Sequence, residues 1–448
     1  MLVSPFLSVI LALGTGILLI IVLSTRYKMH PFFSLSLSCL ITGWIGGLDT
    51  ASILTAMKEG FGKIMSSLGY IIAVGTALGM VLQSNGATTV MAATILKWVG
   101  RGRSVLAVSL TGFMVGLPIF CDSGFIVLSG LNASMIRKTA TPAIVMSAAL
   151  ATGLYAVHCF IPPHPGITSA TGTLTADFGW VILYGLIVAV PAMLAGYGWS
   201  VWKGRQFPDM NSNSSTVTNT KEDTNQPLPP KWLSFIPVLV PISLIAIKAI
   251  LTNIPDIHTS LPGAVLIIGD PPVALSVGLL LALLVPKKWT KNELGKLMNQ
   301  GIDKAGGILV IIGAGAAFGA IIGALKIQDH LAGIEILNAM GLLFPFLVTA
   351  ILKTAQGSST VAIVTAASIV LPFLSGLGLD SDNGRILAVL AMGAGSMAVS
   401  HVNDSYFWVI AHFADLELKP MLRVFTVASF LMAVAGFLAV YVLSLFLL

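Results

Sequence analysis

The sequence predicts an all-α polytopic membrane protein made of two inverted-topology repeats, each with about five transmembrane helices and one re-entrant hairpin. Three observations lead there. Hydrophobic residues fill 56% of the 448 positions and charged residues only 9%, well below the roughly 25% charged content of soluble domains. The segment Met57–Lys63 (MKEGFGK) returns roughly 240 residues later as Met298–Lys304 (MNQGIDK), with further matched motifs after each copy, so the period describes two large halves and not a solenoid. The basic residues gather in alternate short loops, which fixes an orientation by the positive-inside rule.

Apolar segments close to the ~20 residues that a bilayer requires run over Phe6–Leu23, Pro31–Gly47, Leu68–Leu82, Thr141–Phe160, Trp180–Val201, Leu233–Leu251 and Pro262–Val285. The later set is Gly306–Leu325, Ile386–Ile410 and Val424–Leu447. The first apolar stretch has no basic region before it and no small-residue cleavage site after it, so it reads as a spanning helix and not as a signal peptide. With both termini outside, most of the 24 Lys and Arg residues fall in inner loops, Lys97, Arg137, Lys203 and Lys419 among them.

Each half also carries a longer apolar stretch broken by Gly, Pro and polar residues. The first, about residues 104–138, is flanked by Arg103 and Arg137, both assigned to the inside, and therefore enters and leaves by the cytoplasmic face. The second, about residues 342–378, lies between outer loops and enters from the opposite face. Five spans plus a hairpin is an odd number of crossings, which turns the second copy over. The first repeat is then 1–202, the second 233–448, and 203–232 a cytoplasmic linker whose run Asn211–Pro230 is too polar to fold.

Several functional classes drop out. The formal charge of +6 is spread over short loops and forms no nucleic-acid surface. Cys39, Cys121 and Cys159 stand singly in apolar surroundings, with neither a metal spacing nor a disulfide framework, and read as packing residues. No HExxH, GxSxG or Walker sequence is present, so the chain is expected to be neither an enzyme nor an ATP-driven pump, and to use no cofactor or metal. Gly313, Gly315 and Gly319 mimic a dinucleotide loop but follow no strand; they and Gly75 with Gly79 read as helix-packing faces.

Broken backbone inside a membrane leaves amide and carbonyl groups unpaired, and it is tolerated only where it is buried in protein or lines a cavity. The breaks therefore mark the candidate site. The first hairpin tip carries Asp122, Ser123 and Gly124, and the second carries Gln356, Gly357, Ser358, Ser359 and Thr360. Small hydroxyl residues at the positive ends of helices suit a polar anion, although Gly and Ser also serve close packing alone. Asp122, a carboxylate at membrane depth, is either the coupling-proton carrier or a structural acceptor for hairpin amides. Lys353 either attracts a substrate carboxylate or snorkels to the outer face. Downstream, Gly153–His158 (GLYAVH) aligns with Gly395–Ser400 (GSMAVS), and polar chain follows both: the Pro162–Gly166 run containing His164, and the run His401–Asp404 containing Asn403. His158, His164, His401, Asn403 and Asp404 are relay or ligand residues, or else caps that satisfy the broken backbone.

These residues carry a resemblance. The PPHPG run at Pro162–Gly166, the SHVND run at Ser400–Asp404 with Phe407 and Trp408, the GSST segment at Gly357–Thr360, and the acid before Gly124 and Phe125 resemble the gluconate permease family of gluconate:proton symporters, over nearly the whole chain. The resemblance implies a multi-pass protein of a bacterial inner (plasma) membrane importing gluconate or a related small hydroxy or sugar acid. It implies proton coupling, for which Asp122 and Asp404 are the candidate acids, with the other tip and break residues as candidate substrate ligands. The wider superfamily further implies a homodimer with scaffold helices in 1–50 and 233–286, and moving transport parts in 57–176 and 298–412. Sodium coupling, a D-serine or D-glycerate substrate, and an uncoupled channel are the alternatives.

Overall fold

The computed structural model describes residues 5–99, 103–207, 228–252, 267–285, 289–325 and 339–448. Every regular element among them is helical. The first half contains α1 (Pro5–Thr25), α2 (Pro31–Ile45), α3 (Thr50–Ser84), α4 (Ala87–Val99), α5 (Ser104–Gly116), α6 (Cys121–Thr139), α7 (Ala143–Phe160), α8 (Pro165–Thr173) and α9 (Phe178–Gly204). The second contains α10 (Lys231–Thr252), α11 (Pro271–Leu284), α12 (Lys291–Ala324), α13 (Leu343–Gln356), α14 (Ser359–Val370), α15 (Asp382–Gly395), α16 (Ser405–Phe413), α17 (Leu418–Met421) and α18 (Val427–Leu447). Residues 208–227 of the predicted linker and residues 262–266 of the predicted span Pro262–Val285 lie outside the described residues.

Six helical stretches among the described residues are long and apolar enough to cross a membrane, by length and composition. Two of them are far longer than the spans read from hydropathy. Helix α3 starts at Thr50 because Asp49 Oδ1 accepts from the Ala51 and Ser52 amides at 2.9 and 3.0 Å, closing the orphan donors of the first turn. Helix α12 starts at Lys291 behind a Thr290 cap on the Glu293 amide. The duplicated heptapeptides thus lie inside helices. The opposite correction applies to Ile386–Ile410, expected as one span: it is α15 and α16 separated by non-helical chain at Ser396–Asp404. Apolar flanks carry the hydropathy signal across this break, while Ser, Asn and Asp side chains offer the backbone other partners.

Helices α3 and α12 pack along one another, and small residues let their backbones approach. A Cβ on Gly60 would stand 2.6 Å from the Ala316 carbonyl, and one on Gly301 would stand 3.4 Å from the Ala77 Cα. The suspected nucleotide-loop mimic is such a face, since Gly319 lies against Ser368 of α14, and its counterpart Gly79 lies against the Pro118 carbonyl. All three cysteines are buried and unpaired.

The remaining contacts come in exchanged pairs. Helix α2 lies on α12 while α11 lies on α3; α6 lies on α16 while α14 lies on α8. The aligned glycines Gly153 and Gly395 do the same work in their own halves: a Cβ at Gly153 would strike the Ser109 carbonyl of α5, and one at Gly395 the Phe346 carbonyl of α13. The membrane-length window in Ala143–Thr173, formed by α7 and α8, is wholly buried, against 39% of that in Lys231–Thr252 and 28% of that in Leu418–Leu447, so the broken span sits at the centre and these others at the periphery.

Substituting Gly153 by Val should therefore overpack the α5–α7 contact at a cost of roughly 1–3 kcal/mol. Thermal unfolding of the purified protein reads this as a clear drop in Tm, whereas Gly62→Ala, with no atom within 4 Å of its Cβ, should leave Tm unchanged.

Candidate functional site

Both predicted hairpins are helix–break–helix units. In the first, α5 ends at Gly116, and Pro118, which has no amide hydrogen to continue a helix, carries the chain through to Cys121, where α6 begins. In the second, α13 ends at Gln356 and Gly357 takes a left-handed conformation (φ +83°), its amide donating to the Lys353 carbonyl. A Cβ there would also strike the Asn403 backbone carbonyl, so both dihedral and space demand glycine. Ser358 then caps α14 by accepting from the Val361 amide at 3.3 Å.

The strongest interaction lies behind the second tip. Lys353 is fully buried (0% exposed) and its Nζ donates to Asp404 Oδ2 at 2.6 Å; Asp404 is itself 3% exposed. Lys353 also donates to the Gly357 carbonyl, and Ser400 Oγ donates to the same Asp404 oxygen. The other carboxylate oxygen caps α16 by accepting from the Tyr406 amide at 3.0 Å. Lys353 therefore neither snorkels nor stands open to a substrate. Its side chain turns into the protein and ties the hairpin to the break between α15 and α16. A buried charge pair is tolerated when further hydrogen bonds complete both ions, as they do here.

His401 and Asn403 complete this tie. The His401 ring nitrogen lies 3.2 Å from the Thr354 carbonyl, and Asn403 Nδ2 donates to the Thr354 and Ala355 carbonyls at 2.8 and 3.2 Å. Both satisfy the last turn of α13, the capping alternative for these positions.

The first tip differs. Asp122 and Ser123 lie in the first turn of α6, and Asp122 Oδ1 is buried without a hydrogen-bond partner. Lys304, from α12 in the other half, donates to Ser123 Oγ at 2.6 Å and stands over the Phe120 ring at 5.1 Å. The charges of Lys304, Lys353 and Asp404 all bear on Asp122, so the two tips share one electrostatic neighbourhood. Gly124 packs on the Leu154 side chain. His164 donates from Nε2 to the Gly116 carbonyl at 2.9 Å, holding the end of α5, and its ring lies 4.9 Å from that of His158, whose Nδ1 is buried and unpartnered.

Tyr155 and Tyr406 join these groups. Their rings lie 5.4 Å apart, Lys353 stands over Tyr155 at 5.8 Å, and the two hydroxyls donate to the Ser396 and Ala151 carbonyls. Ser359 lies beside Tyr155 and Cys159, while Thr360 packs against Gly166 of the first half. Gln356 contributes two more buried atoms without partners, Oε1 and Nε2. The structure thus gathers the residues of both tips and both breaks in one region. It divides them into a group tied into the backbone breaks, Lys353, Asp404, His401 and Asn403, and a group with buried unpartnered atoms, Asp122, His158 and Gln356. Sequence reasoning did not single out Lys304, Tyr155 or Tyr406. Lys304 is the last residue of the duplicated heptapeptide, and that was the available signal.

Residues 7–446 match the family described as GntP family permease. The chain belongs to that family. A gluconate permease from Pseudomonas aeruginosa is 33% identical, with 95% of each chain covered. The D-serine transporter DsdX of Escherichia coli is 30% identical, with 97% of this chain and 98% of that one covered. Among solved structures, the Alcanivorax borkumensis YdaH transporter matches 93% of this chain and 99% of its own with a TM-score of 0.66 at 16% identity, a likeness of fold alone. This GntP permease is accordingly a membrane transporter and not an enzyme.

Lys353→Met alone should strand Asp404 in the interior and lower stability by about 3–5 kcal/mol. The charge-neutral double variant Lys353→Met/Asp404→Asn should recover most of that loss, which thermal unfolding of the three proteins side by side will measure.

Proposed function

We propose that this permease imports a small hydroxy-acid anion of the gluconate class together with one proton carried by Asp122. The observation that carries the reading is the contrast between the two buried acids: Asp404 is bonded at both oxygens and paired with Lys353, whereas Asp122 keeps a buried oxygen without a partner. A carboxylate whose two oxygens are both engaged is committed to structure, whereas a buried oxygen at membrane depth with no partner is open to a proton. Lys304 supplies the cation for the substrate carboxylate, and Gln356 with the tip hydroxyls of Ser123 and Thr360 supplies donors and acceptors for the polyol chain.

Proton coupling is favoured over sodium at the second tip. The Gly357 carbonyl and the Asp404 carboxylate are the oxygen ligands a sodium ion would use, and the Lys353 ammonium occupies both. A monovalent anion carried with one proton is electroneutral and responds only to the pH gradient; a second proton would add ~2.3 kcal/mol per 100 mV of membrane potential. The relatives named for gluconate and for D-serine share a carboxylate with a polar group on the neighbouring carbon, which is the chemistry this site is read to hold.

The movement is read as elevator-type alternating access. The exchanged contacts of α2 and α11 with α12 and α3, and of α6 and α14 with α16 and α8, are those expected of two copies related by a two-fold axis in the membrane plane. On that reading α1, α2, α10 and α11 form the scaffold and a homodimer contact, and the hairpins with α7, α8, α15 and α16 move. The protein then lies in a bacterial inner membrane with both termini outside.

Proteoliposomes holding Asp122→Asn should exchange labelled gluconate for internal gluconate yet fail to accumulate it from an imposed pH gradient. Accumulation undiminished by the substitution would place the proton elsewhere. Lys304→Gln should raise KM at least about tenfold, equivalent to ~1.4 kcal/mol of lost binding, while Lys63→Gln, the exposed counterpart in the first half, should transport normally.

A further inference from the structure

A cavity of about 1310 Å³ lies away from the hairpin tips, at the opposite end of the first hairpin. Its walls are the end of α4, the start of α5, the end of α6 and the end of α9. Four basic side chains converge on it, Lys97, Arg103, Lys138 and Arg205, and no carboxylate among the described residues lines it. None of the ion pairs among the described residues engages them.

Helix dipoles account for three of these cations and not for the fourth. Lys97, Lys138 and Arg205 stand at the C-terminal ends of α4, α6 and α9, where a positive charge offsets the partial negative charge of the helix end. Arg103 stands at the opposite kind of end. It is the N-cap of α5, makes no side-chain cap bond, and adds its charge to the positive pole of the helix. The cavity therefore concentrates positive charge beyond what the helices need, and hydroxyls of Ser104, Ser134 and Tyr197 add neutral donors around it.

The surroundings point to the source of the anion. Trp98, next to Lys97 in α4, and Trp202, near the same end of α9 as Arg205, are 73% and 61% exposed, as tryptophans at the headgroup level of a bilayer are. Leu96, Leu131 and Val201 give the cavity an apolar wall, suited to acyl chain and not to a hydrated ion. We propose that this cavity is a binding site for the phosphodiester headgroup of an anionic phospholipid, with Lys97, Arg103, Lys138 and Arg205 on the phosphate and the leucine wall on the proximal acyl chain. Bound there, the lipid bridges both helices of the first hairpin to α4 and α9.

The test uses the full-length protein purified in neutral detergent, with thermal unfolding as the readout, and it does not depend on the transported substrate. Added phosphatidylglycerol should raise Tm and phosphatidylcholine should not. Lys97→Gln/Arg205→Gln should lose at least about half of that shift, Lys97→Arg/Arg205→Lys should keep it, and Lys419→Gln/Arg423→Gln, exposed basic residues elsewhere, should keep it too. An equal shift from inorganic phosphate or glycerol 3-phosphate would make a soluble anion the ligand and overturn the lipid assignment. Equal loss of the shift in the Lys419/Arg423 variant, or none in the Lys97/Arg205 variant, would also overturn it.

Discussion

The buried pair of Lys353 and Asp404 is the constraint on which the rest of the site depends. It joins a hairpin whose backbone stops at Gly357 to a span whose backbone stops at Ser396, and each break would otherwise leave polar groups stranded in an apolar medium. The ammonium closes the hairpin carbonyl, the carboxylate caps α16, and Ser400, His401 and Asn403 close most of what remains. Two irregular segments thereby become one rigid wall. Asp122, His158 and Gln356 keep buried atoms without partners, which the proposed reading gives to a ligand or a proton.

On the proposed reading, function rests on a difference between the two halves. Packing respects the duplication: glycines at matched positions admit matched helices, and contacts between the halves are exchanged in pairs. Chemistry does not respect it. The first break is built from prolines and holds His164 beside His158 of α7, while the second is built from hydrogen-bonding side chains and holds Asp404, the acid of the ion pair. Lys304 reaches the opposite tip and donates to Ser123 Oγ, a bond that Lys63 at the same place in the first copy does not make among the described residues. On the proposed reading, matched packing brings the two hairpins together and the unmatched residues give their meeting point its chemistry.

Much of this was legible in the chain. Composition gave the membrane class, Gly and Pro punctuation gave both hairpins, and the polar runs after Gly153 and Gly395 located both breaks. Residue roles were harder to read, because capping and ligand binding use the same side chains: His401 and Asn403 are bonded to the ends of α13, and only the fold brings those carbonyls within reach. Lys353 could not be paired from sequence, since its partner lies 51 positions away across a hairpin. Lys304 escaped for a related reason. Its heptapeptide looked like a loop beside a span, and the Thr290 cap that extends α12 back over it is a local signal that hydropathy does not weigh.

The central claim is a division of labour between two acids, with Asp122 taking up the proton and Asp404 serving as the structural partner of Lys353. Infrared difference spectroscopy on the reconstituted protein, recorded across a pH step, tests it most directly. The account predicts a protonated-carboxyl stretch that appears on acidification, disappears in Asp122→Asn and persists in Asp404→Asn. A band that survives the loss of Asp122 and vanishes with Asp404 would contradict it.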